Sequence, residues 1–353
     1  MRIEDGIKLD FQDVLIKPKR SRAPSRSSIQ LERTFVSKYA GIEWTGVPII
    51  AANMYGTGTM AMAAALSKHH MLTALHKHYS VEDLVNFFDT NRDLWDYTFY
   101  TIGINSEDVE KLKEVTYRLP LINRDEVFPK LLCVDAANFY TEFANDRIKE
   151  IREQFPRSFL MAGNVVSYEM TEQLILSGVD ICKCGIGGGS ACLTRVKAGV
   201  GMPQLSAAAE CADAAHGLKG LVCSDGGCTC PGDVAKAIGA GSDFVMLGGM
   251  LAGTDECEGE WEYDMCDEPV ALEFYGMSSK EAQEKHNGGL KDYRASEGKC
   301  VRVKYKGNVD GVVQDVLGGL RSACSYVGAE ELKHLSKCCR FIRVNRTHNK
   351  IFG

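Results

Sequence analysis

Eight short runs of almost unbroken apolar residues recur along this chain, at 47–54, 72–77, 99–104, 131–137, 159–166, 180–186, 221–227 and 243–250. Each closes at or near Gly, Asn, Asp or Lys. A strand with one wet face alternates polar and apolar residues, whereas a strand covered on both faces is apolar throughout. Helix-like stretches fall between the runs, among them 140–154, 167–177, 204–215 and 233–239. The last follows Pro231-Gly232, a helix entry. Eight strand–helix units predict an α/β chain closed into a parallel (β/α)8 TIM barrel. An open doubly wound sheet would use the same units, but the count of eight favours closure. The reading is one domain over 1–353. An N-terminal arm (1–46) precedes the barrel (47–250). A flap-like insertion with a nucleotide segment (251–300) and a C-terminal helix and tail (301–353) follow.

Composition narrows the function classes. The 353 residues are 45% apolar and 25% charged, enough for a sizeable core, and the formal net charge is −6. That balance disfavours a nucleic-acid partner, and no apolar run approaches the roughly 18 residues of a membrane span. The first residues carry acids rather than the apolar stretch of a secretory signal. The expectation is therefore a cytoplasmic protein with reduced thiols. Its 14 cysteines contain no C-x-x-C pair, which disfavours a zinc cluster and makes most of them small core hydrophobes. Residues 254–268 hold eight acids and no base, a composition suited to a solvated loop. The arm carries a basic cluster: Lys17, Lys19, Arg20, Arg22 and Arg26.

Active sites of such barrels lie at the carboxyl ends of the strands, with phosphate often held after strands seven and eight. Asp225-Gly226-Gly227 and Gly248-Gly249 fall there. Glycine lets backbone N–H groups approach an anion closely, although such pairs are also ordinary turn residues. Asp225 could accept two hydroxyls of a ribose diol or simply cap the next helix. After strand six runs Gly185-Ile186-Gly187-Gly188-Gly189-Ser190-Ala191-Cys192-Leu193-Thr194-Arg195. A thiol on a barrel-top loop beside the Arg195 cation is a candidate nucleophile, because a nearby positive charge favours thiolate.

The segments GIGGGSACLTR, SDGGCTCPGD, FVMLGGMLAG, FYGMSS and YRASEGK, in that order, resemble the IMP dehydrogenase/GMP reductase family. DFQDVLIKPKRS, VPIIAANM, LHKHYSVE, AGNVVSYEM and PQLSAAAECADAAHGLKG extend the likeness over nearly the whole chain. The resemblance implies reductive deamination of GMP by NADPH to IMP, ammonia and NADP⁺. It makes Cys192 the nucleophile at carbon 2 of guanine, and Thr194 and Glu297 the proton-handling pair. On residue chemistry alone, Glu297 could equally pair with Lys299. The resemblance assigns the nucleotide to Asp225, Gly226, Gly227, Gly248, Gly249, Gly276, Met277, Ser278, Arg294, Ala295, Ser296, Glu297 and Gly298. It assigns NADPH to Lys77, Asp135, Ala136, Ala137, Met277, Tyr293 and Arg294. Ser25, Arg26, Ser322, Ala323, Cys324 and Ser325 would reach the cofactor of a neighbouring subunit, so a homotetramer is implied. Arg26 could meet a 2′-phosphate or form plain interface surface. Carbonyls of Gly187, Gly189, Cys192 and Arg195 match positions that hold potassium.

Two features separate the branches of the family. The dehydrogenases usually insert regulatory modules after strand two, but Lys77 and Phe99 leave room for only one helix here. Their mobile Arg-Tyr flap pair has no counterpart in this sequence. Both features favour the reductase branch over oxidation of IMP. Several positions depart from its pattern: Tyr55 replaces an acid, and Gly188, Ala191 and Leu193 stand in the catalytic loop. Thr101-Ile102-Gly103-Ile104 and Phe139 alter the third and fourth strand ends. A purine-nucleotide-binding relative with weakened NADPH binding and a regulatory role is the alternative these departures raise.

Overall fold

The computed structural model describes residues 3–21, 25–120, 126–136, 138–287 and 295–345. The apolar runs form β1 (Ile49–Ala51), β2 (Leu72–Ala74), β3 (Thr98–Ile102), β4 (Leu131–Asp135), β5 (Phe159–Val165), β6 (Ile181–Cys184), β7 (Leu221–Asp225) and β8 (Phe244–Leu247). They pair in parallel in chain order, and β8 returns to β1 through Val245↔Ile49, Met246↔Ile50 and Leu247↔Ala51. The result is a closed TIM barrel. Its strands are shorter than the apolar runs, because pairing ends where each run turns into a loop over the mouth.

Continuous apolarity has the expected cause. Alternate side chains such as Ile50, Leu72, Phe99, Leu131, Phe159, Ile181, Cys223 and Phe244 fill the barrel. Those between them, including Ile49, Leu132, Leu160, Cys182, Val222 and Val245, pack against the surrounding helices. These helices are α1 (Met60–Ser67), α2 (Val81–Thr90), α3 (Ser106–Arg118), α4 (Glu142–Gln154), α5 (Tyr168–Leu176), α6 (Gln204–Gly217), α7 (Pro231–Gly239) and α8 (Val309–Val327). No described helix is long and apolar enough to cross a membrane.

The N-terminal segment is more than an arm. Arg33–Val36 and Glu43–Gly46 form an antiparallel hairpin. Its Phe35 and Trp44 rings lie 4.5 and 5.6 Å from Phe244, the first residue of β8. Aromatic packing of this kind plugs the amino-terminal end of the barrel and leaves the carboxyl end for chemistry. Val14–Ile16 pairs with Phe341–Arg343, tying the two ends of the chain together.

Two expectations need correction. The acidic stretch 254–268 is not a plain solvated loop. It contributes β9 (Glu260–Tyr263) to an antiparallel sheet with β10 (Pro269–Tyr275) and β11 (Cys300–Lys304). Its acids are balanced in part across the sheet, as where Arg302 Nη2 lies 2.7 Å from Glu262. The flap also runs past residue 300, through Lys304. Of the 14 cysteines, all free, seven are buried, six half-buried, and Cys266 is exposed. Full burial thus accounts for half of them.

A buried carboxylate locks the hairpin to the barrel. Asp180, 1% exposed, accepts from Arg152 Nη2 at 2.7 Å, Ser37 Oγ at 2.7 Å, Leu160 N at 2.9 Å and Tyr39 N at 3.0 Å. Asp180→Ala would strand the half-desolvated Arg152 guanidinium and three further donors. The expected loss is about 3–5 kcal/mol of unfolding free energy, read from the shift in urea midpoint.

Candidate active site

The sixth strand delivers the thiol. Gly185 leaves β6 with φ +147°, and a β-carbon there would lie 2.0 Å from the Asp225 carbonyl, so only glycine fits. The loop then crosses the mouth of the barrel. A β-carbon on Gly226 would meet the Gly189 amide at 3.1 Å, and one on Gly249 would meet Ser190 Oγ at 2.5 Å. Glycine backbones after β7 and β8 therefore sit against the 188–190 segment, while Gly248 faces Met54. Gln204 at the start of α6 braces this arrangement from below. Its buried side chain donates to Cys184 O at 2.9 Å and Ser224 Oγ at 3.1 Å.

The flap supplies the other half. Cys192 and Gly298 form an antiparallel bridge, with Leu193 N bonded to Glu297 O at 2.6 Å and Lys299 N to Ala191 O at 2.9 Å. Glu297 N donates to Ser278 O and Gly276 N to Lys299 O, each at 3.2 Å. Gly276, Met277, Ser278 and the 296–298 segment thus form one backbone scaffold around the thiol. Met277 O accepts from Gln283 Nε2, and Ser296 Oγ donates to Gly298 O.

This scaffold aligns three side chains. The Cys192 thiol donates to Thr194 Oγ1 at 3.2 Å, and the Thr194 hydroxyl donates to Glu297 Oε2 at 2.7 Å. A thiol proton therefore has a bonded path through a hydroxyl to a carboxylate. Glu297 faces Thr194, which answers the simpler possibility of a pairing with Lys299.

Arg195 plays a different part from the one its position suggested. Its guanidinium is 2.8 Å from Asp10 Oδ2 and 2.6 Å from Met202 O. Asp10 neutralises the cation and also accepts from Gln204 N at 2.6 Å. The arginine therefore pins the thiol loop to the N-terminal segment instead of serving as a free charge for the thiol. Gly187, Gly189, Cys192 and Arg195 share this loop, and Gly189 O accepts from Cys192 N at 3.0 Å.

Sequence reasoning missed the most buried charge in the mouth. Lys183 on β6 is 2% exposed, and its Nζ lies 2.5 Å from Asp135 Oδ1 and 3.1 Å from Asp225 Oδ2. Burial by itself would lower its pKa, but the two carboxylates outweigh burial and hold the ammonium well above the ordinary lysine value. Asn164 Nδ2 also donates to Asp225 Oδ2, at 2.9 Å. Both bonds to Asp225 use one oxygen, and Oδ1 carries none among the described residues. Asp135 shows the same split. Among the described residues, each aspartate thus keeps one carboxylate oxygen without a bond while the other is committed inward, and neither caps the helix that follows it. Inward-facing lysine in an apolar strand was the signal available in DICKCGI.

The remaining assignments scatter. Lys77 Nζ lies 3.4 Å from Asp108 Oδ2 near the end of β2. Ala136 is held by backbone bonds to Gly163 and Asn164. Phe139 is fully buried among the side chains of the helix layer. Ser25 and Arg26 lie beside α8, where Arg26 stands 5.9 Å over the Tyr326 ring. Ser322, Ala323 and Ser325 are half-buried on that helix, but the Cys324 side chain is wholly buried and cannot touch a surface ligand. These positions do not join the mouth within one chain. Ala137, Tyr293 and Arg294 lie outside the described residues, and Ala295 is exposed at the edge of the flap. Among the described residues, no cluster of three or more His, Cys, Asp or Glu could hold a metal ion.

Comparison with known proteins gives the barrel and its thiol loop a family. Residues 8–350 match the IMP dehydrogenase / GMP reductase domain, and the chain belongs to that family. It is 52% identical over 352 residues to GMP reductase 1 of Mus musculus and of Homo sapiens, covering 100% of this chain and 99% of each relative. It is 52% identical over 354 residues, with the same coverage, to GMP reductase of Yersinia enterocolitica.

Lys183→Met keeps the volume and removes the cation held between the two carboxylates. Breaking such a buried set should cost about 3–5 kcal/mol, measured by urea unfolding, and Lys183→Arg should recover part of it.

Proposed function

We propose that this chain reduces GMP with NADPH, releasing ammonia and leaving IMP and NADP⁺. The observation that carries this reading is the bonded line Cys192–Thr194–Glu297 on a loop laid across the glycines that end β7 and β8. Full-length similarity to proteins named GMP reductase supports it.

Residue chemistry orders the steps. The Cys192 thiol gives up its proton along the line to Thr194 and Glu297, and the sulfur attacks carbon 2 of the guanine. The exocyclic amine, protonated from the same pair, leaves as ammonia, and carbon 2 stays bonded to sulfur in a thioimidate. Covalent attack divides one difficult substitution into two easier steps. NADPH, when bound, would supply the hydride for carbon 2. The carbon–sulfur bond then breaks, returning thiolate to Cys192 and freeing IMP.

The binding residues follow from charge and backbone. Asp225 Oδ1 suits the nucleotide ribose, and the N–H groups around Gly226, Gly227, Gly248 and Gly249 suit its phosphate. Gly276, Met277, Ser278, Ala295, Ser296 and Gly298, with Arg294, would frame the base. Asp135 Oδ2 and Lys77 suit hydroxyls and phosphates of the dinucleotide, and the acceptor left open on Asp135 fits that group. Ser25 and Arg26, with the exposed edge of α8, would serve the cofactor of a neighbouring subunit, so the proposal includes a homotetramer. Potassium would sit among the carbonyls of Gly187, Gly189, Cys192 and Arg195 and stiffen the loop. A cytoplasmic setting, where thiols stay reduced, accords with the free cysteines.

The test mixes protein, GMP and NADPH and follows NADPH absorbance and ammonia. Cys192→Ala should abolish turnover while GMP affinity stays within a few-fold, and retained turnover would remove the covalent step. Glu297→Gln should lower kcat by roughly 10²–10⁴-fold, as loss of a general acid–base does, with little change in KM for GMP. Tight GMP binding with no turnover in the unmodified protein would favour the regulatory reading.

A further inference from the structure

Four rings stand in a column between the flap and the barrel mouth. Tyr275, the last residue of β10, stacks on Tyr55 with centroids 6.1 Å apart and planes 15° apart. Tyr55, just past β1, lies 5.1 Å from His76 at the end of β2. His76 stacks in turn on Tyr79 at 4.0 Å and 18°. The flap side holds the column at two points. Lys285 Nζ sits 4.8 Å from the Tyr55 ring centroid, while Glu258 accepts from Tyr79 OH and lies 3.5 Å from His76 Nε2. The Glu258 amide also bonds Gly56 O at 3.3 Å. Burial opposes ionisation of Glu258, but its contacts with His76 and Tyr79 prevail and keep the carboxyl below its ordinary range. The column therefore meets a carboxylate at its foot and an ammonium at the Tyr55 ring, with His76 and Tyr275 buried.

The next residue after Tyr275 is Gly276, whose amide bonds Lys299 O, and Tyr275 itself pairs with Cys300. Tyr275 is thus bonded into the strand pair whose β11 begins just after the segment that carries Glu297. We propose that Tyr55 is a positioning residue: it is the inner ring beside Tyr275 through which the barrel sets the height of the flap, and so the Glu297 carboxylate, over Cys192. The proposal rests on the roles given above to Cys192, Thr194 and Glu297. It also assigns work to a position where the family pattern has an acid, which could not stack.

The experiment compares Tyr55→Ala, Tyr55→Phe and Tyr55→Asp by backbone hydrogen exchange and by steady-state kinetics with GMP and NADPH. In Tyr55→Ala, exchange within 276–279 and 295–299 should speed by roughly ten-fold, the factor that one or two lost ring contacts represent. Exchange in β4 to β7 should stay unchanged. The kcat should fall by a similar factor of about ten, with KM for GMP shifting less than about three-fold, because positioning of Glu297 acts on the chemical step. Tyr55→Phe should match the unmodified protein in both measurements, and Tyr55→Asp should behave as Tyr55→Ala. Unchanged flap exchange in Tyr55→Ala overturns the proposal, as does a Tyr55→Phe variant as impaired as Tyr55→Ala. If the unmodified protein shows no turnover, the proposed reaction fails, and the exchange measurements still decide whether the column holds the flap.

Discussion

The backbone bridge between Cys192 and Gly298 holds the site together. Two main-chain hydrogen bonds, Leu193 N to Glu297 O and Lys299 N to Ala191 O, fasten the loop after β6 to the flap. Without them a thiol, a hydroxyl and a carboxylate would sit on two independently moving segments. With them, the Thr194–Glu297 bond at 2.7 Å becomes a consequence of strand pairing. Glycine makes the bridge possible. A β-carbon at Gly298 would meet Ser279 N at 2.6 Å, and one at Gly276 would meet Ala191 O at 2.7 Å. The segments close only because both positions lack a side chain.

Electrostatics organise the mouth around a buried cation rather than an exposed one. Lys183 serves Asp135 and Asp225 together, leaving each with one outward oxygen. Arg195 and Asp10 form a second pair that anchors the loop from outside. Neither ion pair touches the sulfur. The thiol's own hydrogen bond runs to Thr194, whose hydroxyl in turn bonds the Glu297 carboxylate. That division keeps both ion pairs apart from the sulfur.

Much of the fold was legible because a strand buried on both faces must be apolar at every position. Runs such as Leu131–Asp135 and Phe244–Leu247 therefore declare themselves without an alternating signal. Legibility failed where long-range pairing decides. Glu260–Tyr263 carries acids at alternate positions and reads as a solvated segment, yet it becomes a strand because Pro269–Tyr275 lies beside it. The hairpin that plugs the barrel was hidden for the same reason, since Phe35 and Trp44 acquire a purpose only beside Phe244. In the site, Cys192 was marked by its glycine loop, whereas Lys183 was lost inside an apolar strand.

From residue order alone came the eight-unit barrel, the thiol loop after the sixth strand and the glycine pairs after the seventh and eighth. These are local patterns, written within a few residues of one another. Tertiary structure decided which side chains meet: Lys183 with two aspartates, Arg195 with Asp10, Glu297 with Thr194, Tyr55 with Tyr275. Those partners lie tens to hundreds of residues apart in the chain. Only closure of the barrel and the seating of the flap bring them within bonding distance, because side-chain contacts depend on separation in space and carry no trace in local sequence.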